Sequence, residues 1–308
     1  MSFSDVPKQR SGLSPDPNHG AGGSKPRAKG VLEKGLYVTG VPIGHAKDIT
    51  VRALEVLAGA DAIAAEDTRV TGKLLNLHGI SGKLVSYREE NAARAIPAIL
   101  ARLARGEAVA LVSDAGTPHV SDPGGSLVKA AAEAGHNVVA VPGPSALTAA
   151  VSISGLSEKR TLFAGFLPAQ ASARRAEIMA LKPLDAALVF FEAPHRIAES
   201  LADLAAILGP RDAVICRELT KRYEETRRAP LNELAVLAAQ DADLQRGEIV
   251  IVIAPGAPEA TDDAAALDTA LTKALATMRV KDAADAVAGA LNLPRRTVYA
   301  RALELKGG

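Results

Sequence analysis

Ala108-Val109-Ala110-Leu111-Val112-Ser113-Asp114-Ala115-Gly116-Thr117-Pro118 sets five apolar residues in a row against a turn of small and polar ones. A short, unbroken apolar run closed by turn residues is the pattern of a strand buried on both faces, as in a parallel sheet. His119-Val120-Ser121-Asp122-Pro123-Gly124-Gly125 follows. Ser121 or Asp122 can cap a helix over 124–134, with Pro123 at its first position. Strand, small-residue turn and helix are thus one repeating unit.

The same unit recurs on both sides. Upstream lie a first strand, Leu36-Tyr37-Val38, a turn over 39–44, a helix over 50–59, the strand Ala62-Ile63-Ala64-Ala65 and a helix over 91–105. Downstream, a strand over 137–141 passes through Pro142-Gly143-Pro144-Ser145 into a helix over 145–152. This alternation predicts an α/β domain with a parallel sheet over 33–153. Residues 155–170 read as a connection. Strands over 187–191, 213–216 and 248–253, with helices over 196–208 and near 231–239, predict a second α/β domain over 154–256. Pro255-Gly256-Ala257-Pro258 marks a linker. A helical segment over 262–308 closes the chain, with helices at 281–291 and 295–305 split by Leu293-Pro294.

Bulk composition narrows the function. The chain has 308 residues, 48% of them hydrophobic and 3% aromatic, so each domain can bury an aliphatic core. No apolar run approaches the roughly 20 residues of a membrane span. Residues 1–32, rich in Pro, Gly, Ser and cations, are expected to be a disordered tail and no signal peptide. A formal charge of +1 places any nucleic-acid contact in local clusters. One cysteine, Cys216, fits a reducing, cytoplasmic setting. The six histidines lack metal-ligand spacing, so no metal site is expected.

In open parallel sheets, ligands bind beyond the carboxyl ends of strands, and the informative residues fall there. Gly40-Val41-Pro42-Ile43-Gly44-His45 lets a ligand approach the backbone, or is an ordinary βα turn. It matches neither G-x-G-x-x-G nor the Lys-Ser/Thr ending of a P-loop, which disfavours a nucleoside triphosphate. Glu66-Asp67-Thr68-Arg69 either holds a hydroxyl, base or phosphate, or is a solvated loop with an internal Asp–Arg pair. Asp114 and the Ala115-Gly116-Thr117-Pro118 turn are the strongest signal: a carboxylate for a ribose or an ammonium, beside bare backbone. Ser145 lines a further bend or caps its helix. In the second domain, residues 216–228 hold five Lys/Arg against three Glu, and read as a basic loop or a solvated one.

In series, Asp67-Thr68-Arg69, residues 112–118 with 121–124, residues 142–146, Phe163-Ala164-Gly165-Phe166-Leu167-Pro168, Phe191-Glu192-Ala193-Pro194-His195-Arg196 and residues 216–221 resemble one family. It is the small-subunit ribosomal RNA methyltransferase I branch of the tetrapyrrole methylase superfamily, matched from about 35 to 256. The resemblance implies two α/β domains of the tetrapyrrole methylase type, with bent S-adenosyl-L-methionine in the cleft between them and no metal. The implied product is a 2′-O-methylated cytidine in the decoding centre of 16S rRNA. Gly40, Pro42 and Gly44 resemble the first ligand loop, and Gly116-Thr117-Pro118 the turn beside the methionine part. Asp114, Ala115, Ser121, Pro142 and Ser145 complete that side, while Glu192 would face the adenosine. Val41 and His45 depart from the branch's usual Thr and Asn.

Methyl transfer from a sulfonium needs alignment, which can contribute roughly 7–11 kcal/mol. Glu66, Asp67, Arg69 or Lys221 is expected to orient the hydroxyl. Arg69, Arg196, Lys221, Arg222, Arg295, Arg296 and Arg301 are the expected phosphate contacts, with Tyr87 and Tyr223 as stacking platforms. The expected partner is 16S rRNA within the small ribosomal subunit, met by a homodimer. A tetrapyrrole C-methyltransferase and a non-catalytic assembly factor are the alternatives.

Overall fold

The computed structural model describes residues 8–9, 32–157, 159–256, 262–291 and 293–307. Most of the expected tail over 1–32, and part of the linker at 257–261, lie outside the described residues. The chain divides between Pro255 and Gly256 into two compact units, and each is described by itself.

The larger unit holds both α/β lobes. The first lobe contains β2 (Gly35–Thr39), α1 (Val51–Gly59), β3 (Ala62–Ala65), α2 (Thr68–Leu77), β4 (Leu84–Ser86), α3 (Ala92–Ala104), β5 (Ala108–Val112), α4 (Gly125–Glu133), β6 (Val138–Val141) and α5 (Ala146–Ser154). Its sheet runs β4-β3-β5-β2-β6, parallel throughout. β3 and β5 are buried along their whole length, which is why they read as continuous apolar runs. Tyr37, Ile63, Ala110 and Val112 pack on one face, under α1. Leu36, Ala64, Val109 and Leu111 pack on the other, with Ile99 and Leu127. Burying each such Leu or Ile contributes about 1.5–3 kcal/mol.

The second lobe contains β7 (Thr161–Phe166), α6 (Ala171–Leu181), β8 (Ala187–Glu192), α7 (Ile197–Leu208), β9 (Asp212–Arg217), β10 (Glu225–Pro230), α8 (Leu231–Gln240) and β11 (Ile249–Ile253). A two-residue strand, β1 (Lys8–Gln9), pairs antiparallel with β10. The sheet order is β1-β10-β9-β11-β8-β7, with only β7 and β8 parallel. Alternate residues face opposite ways. Leu188, Phe190, Ile215 and Ile251 lie with Ile197, Leu201 and Leu234. Val189, Val214, Cys216 and Val250 meet Ile43 and α5 of the first lobe, and this contact joins the lobes.

Two expectations are corrected here. The presumed connection over 155–170 contains the edge strand β7. The presumed loop over 216–228 is largely a hairpin of β9 and β10: Glu225 pairs with Arg217 across it, and Arg227 with Ile215.

The smaller unit is a three-helix cluster: α9 (Asp262–Leu275), α10 (Val280–Leu291) and α11 (Arg295–Gly307). Leu271, Ala284, Val287, Val298 and Ala302 form its core.

Candidate active site

In the first sheet β2 and β5 are neighbours, yet β2 leads on to β3 on one side and β5 to β6 on the other. Adjacent strands whose connections diverge leave a crevice at their carboxyl ends, the usual ligand position in open α/β sheets. The loops leaving these strands are pinned together. Val41 N–H donates to the Gly116 carbonyl at 2.8 Å, and Gly116 N–H returns a bond to Val41 at 3.1 Å. The loop after β6 joins them: a Cβ on Gly40 would stand 2.8 Å from Gly143 Cα. Neither glycine can carry a side chain there. Thr117 Oγ1 adds a bond to the Pro144 carbonyl at 3.4 Å.

These pinned loops wall one side of a cavity of about 390 Å³. That lies within the about 300–1,000 Å³ typical of small-molecule sites. Of the residues assigned to the ligand site, Ala115, Gly116, Thr117, Ser121 and Ser145 line it from the first lobe. Phe191, Glu192, Cys216, Ile249 and Val250 line it from the second lobe. Gly40, Pro42, Gly44, Asp114, Pro118 and Pro142 are not among its lining. Gly40 is there for the backbone contact with Gly143, and Gly44 for the close passage of Thr220, whose Oγ1 would be 2.7 Å from a Cβ. His45 N–H donates to that same Oγ1 at 3.0 Å.

Several residues do different work from that expected. Asp67 caps α2: its Oδ1 accepts from Arg69 N–H at 2.8 Å, and Arg69 Nη2 meets its Oδ2 at 2.6 Å. The side-chain bond from Arg69 holds the Asp67 carboxyl well below the usual range, which makes it a poor proton acceptor. The internal Asp–Arg pair is therefore what forms. Asp114 accepts from Asp67 N–H at 2.9 Å, and its own N–H reaches Glu66 Oε2 at 3.3 Å, tying the loops after β3 and β5. Burial raises the Glu66 carboxyl, and the Asp114 charge adds to that against the N–H bond from Asp114.

Lys221 Nζ lies 3.0 Å from Glu218 and 3.1 Å from Glu248. Burial pulls its ammonium down, but the two carboxylates outweigh burial and hold it above its ordinary value. It is a cation and cannot take a proton. Arg196 is committed too: its Nη2 donates to the carbonyls of Leu167 at 2.6 Å and Pro168 at 3.1 Å, and its Nε lies 3.4 Å from Glu192. Tyr87 is 1% exposed and offers no stacking face. Of the cations over 216–228, Arg217 and Arg227 are buried against Glu225 at 3.1 and 2.5 Å. Arg228 donates to the Ile153 carbonyl. Arg222 is exposed and lies over Tyr223 at 5.6 Å. In the small unit Arg295 pairs with Asp285 and Arg301 with Asp268, while Arg296 is exposed.

The Glu192 carboxylate turns inward, accepting from Ala193 N–H at 2.8 Å and from the Ser200 hydroxyl. Asp122 is the residue that sequence reasoning missed. A helix-capping role was expected, but α4 starts at Gly125 with Gly124 as its cap, and Pro123 is not its first residue. Asp122 instead lines the cavity. Burial, aided by the Glu66 charge, pushes its carboxyl up to about 6. The flanking His119 and Ser121, both at positive φ (70° and 63°), were the available sign: such backbone marks a loop held for a purpose, though sequence does not display it.

Residues 35–235 match the Tetrapyrrole (Corrin/Porphyrin) Methylases, and residues 261–306 the RsmI C-terminal HTH domain. A ribosomal RNA small subunit methyltransferase I of Mesorhizobium japonicum is 47% identical, over 89% of this chain and 93% of its own length. One from Escherichia coli O157:H7 is 40% identical, over 88% and 96%. Among solved structures, the cobalt precorrin-4 methyltransferase CbiF aligns at TM-score 0.55 and 15% identity, over 71% of this chain and 94% of that one. A uroporphyrin-III C-methyl transferase from Thermus thermophilus, complexed with S-adenyl homocysteine, aligns at TM-score 0.51 and 19% identity, over 71% and 96%. The low identity of these two carries the fold alone. With the motif order, the paired α/β lobes and the close relatives agreeing, the chain belongs to the tetrapyrrole methylase family, in the branch of the ribosomal RNA small subunit methyltransferase I proteins.

Proposed function

We propose that this protein transfers a methyl group from S-adenosyl-L-methionine to the ribose 2′-hydroxyl of a decoding-centre cytidine in 16S rRNA, within the small ribosomal subunit. One observation carries the reading: the charged residues lining the cavity, Asp122, Glu192 and Glu248, are all acidic. Arg196 and Lys221 lie behind Glu192 and Glu248 at 3.4 and 3.1 Å, so the charged oxygens that face the cavity are acidic and partly balanced. This arrangement favours a single cation such as a sulfonium or an α-ammonium. It disfavours a polycarboxylate tetrapyrrole. Bare backbone at Ala115 and Gly116 and the apolar faces of Phe191, Ile249 and Val250 suit an adenosine, so the residues fit this group.

When bound, S-adenosylmethionine supplies an electrophilic methyl whose carbon–sulfur pair returns to sulfur as the oxygen–carbon bond forms. The chain's own residues bind and align. The pinned 40–44 and 113–118 loops present a preformed wall, and the second sheet's apolar strands exclude water. Arg222 with Tyr223, and Arg296, remain exposed for RNA. The names of relatives at 40% and 47% identity support an RNA acceptor over the tetrapyrroles named for the far more distant structural neighbours. A homodimer, a cytoplasmic setting and folding domains over 33–153, 154–256 and 262–308 are also part of the proposal.

Calorimetric titration with S-adenosylmethionine tests cofactor use, and the absence of heat would favour the assembly-factor alternative. Mass spectrometry of 16S rRNA nucleosides, from cells with and without the gene, tests the acceptor. Loss of one 2′-O-methylcytidine is expected, and an unchanged nucleoside profile overturns the assignment.

A further inference from the structure

A ribose hydroxyl is a weak nucleophile, and its proton must leave as the methyl arrives. The groups expected to assist are unsuited to taking that proton, because Asp67 is held by Arg69 and Lys221 is a paired cation. Glu192 is spent on Ser200 and the Ala193 N–H. Glu66 is not part of the cavity lining, and Glu248 is paired with Lys221 at 3.1 Å, which leaves the carboxylate on the first-lobe wall. Among the described residues Asp122 lines the cavity without a helix to cap, on a loop whose shape is fixed from several sides. His119 N–H donates to the Pro123 carbonyl at 3.3 Å, and Val120 N–H to Thr117 at 3.3 Å. Ser121 Oγ stands 3.4 Å from where a Cβ on Gly165 of β7 would lie, so the loop tip runs close to the second lobe. Two non-glycine residues, His119 and Ser121, are kept at positive φ in this turn.

We propose that Asp122 is the carboxylate that accepts the hydroxyl proton of the methyl acceptor. The inference rests on the methyl-transfer reading above. As the hydroxyl oxygen bonds to the methyl carbon, its O–H pair stays on oxygen, the proton passes to Asp122, and Asp122 releases it to water. Sulfur leaves neutral, so one proton is all that the site must dispose of.

The surroundings favour this role. Glu66 at the end of β3, Asp114 after β5 and Glu248 before β11 all direct negative charge at Asp122, against a hydrogen bond involving Ser113. Glu248 is in turn paired with Lys221, which also holds Glu218. Burial and these charges raise the carboxyl to about 6, close to the working pH, where a general base combines strength with the ionised form. An ordinary carboxylate, near 4, would be ionised but a much weaker acceptor.

Small subunits lacking the modification serve as substrate for wild type, Asp122→Asn and Asp122→Glu, with S-adenosylmethionine affinity measured separately by calorimetry. Wild-type kcat should rise with pH along a single carboxylate limb and then level, the limb lying below the about 6 of the empty site because the cofactor's positive charge lowers the carboxyl. At saturating cofactor Asp122→Asn should lower kcat about 10²–10⁴-fold and erase that limb, with cofactor Kd weakened by a much smaller factor through loss of one of the three lining carboxylates. Asp122→Glu should restore part of kcat and the limb. An Asp122→Asn enzyme with near wild-type kcat overturns the proposal. So does a kcat loss matched by lost cofactor binding, which would make Asp122 a ligand group. Infrared titration of the cofactor-free protein gives an independent reading: a carboxyl near 6, absent in Asp122→Asn, is expected, and its absence from wild type counts against the role. A wild type that binds cofactor yet methylates no subunit RNA counts instead against the function itself.

Discussion

The crevice of the first lobe and the hairpin end of the second are held by opposite means. In the first, Gly40 and Gly143 bring backbone against backbone, and the Val41–Gly116 bridge locks the crevice without any charged group. In the second, the end of the β9–β10 hairpin is held by buried charge: Glu225, 2% exposed, lies between Arg217 and Arg227. Backbone contact can fix a wall to within a fraction of an ångström but tolerates no added atom. Buried charge tolerates shape change but not the loss of a partner. The wall meant to meet small, flat ligand parts is built the first way, and the scaffold behind the apolar wall the second.

That contrast predicts graded outcomes. Glu225→Ala removes the carboxylate shared by two buried guanidinium groups, and should cost about 3–5 kcal/mol in urea unfolding. A cost below about 1 kcal/mol would mean that the hairpin does not depend on charge. Gly40→Ala puts a Cβ 2.8 Å from Gly143 Cα and should cost about 1–3 kcal/mol, with weakened S-adenosylmethionine binding in calorimetry. Unaltered binding would show that the first wall can yield.

Asp122→Asn tests the cavity side of the same wall. A carboxyl whose folded pKa exceeds its unfolded value stabilises the fold below the unfolded pKa, and loses that contribution as pH rises through about 6. The variant should therefore be more stable than wild type at pH 8, by about 1–2 kcal/mol after screening, and no more stable near pH 3. Equal stability at both pH values would remove the strain assigned to this carboxylate. The smallest effect belongs to Gly72, in α2, where a Cβ meets Leu84 Cδ1 at an ordinary 3.6 Å. Gly72→Ala should gain about 0.5–1 kcal/mol, marking a glycine that the fold does not require.

The first lobe was largely legible because buried parallel strands announce themselves as apolar runs. β3 and β5 have the bounds that their composition suggests. β4 escaped notice because it has three residues, none buried. β10 was hidden by Glu225-Thr226-Arg227-Arg228, whose charges read as solvated until the fold buries three of those four side chains. The loops around the cavity were found from glycine and proline, whose backbone demands are local. Which loop residues face the ligand was not, since that depends on φ at His119 and Ser121 and on packing across the lobes. Asp67 was legible together with its partner Arg69, two residues on, whereas the Leu167 and Pro168 carbonyls that hold Arg196 and the Glu248 that holds Lys221 come from distant loops that composition alone does not place.

The chain's single cysteine has a practical consequence. Cys216 is wholly buried within the second lobe's apolar wall of the cavity, and burial pushes its thiol up to about 11. At neutral pH almost none of it is thiolate, so alkylating reagents meet an unreactive target while the sheet is closed. Its labelling rate is therefore a built-in clock for opening of that sheet, and a molecule lodged in the cavity should slow it without any engineered probe.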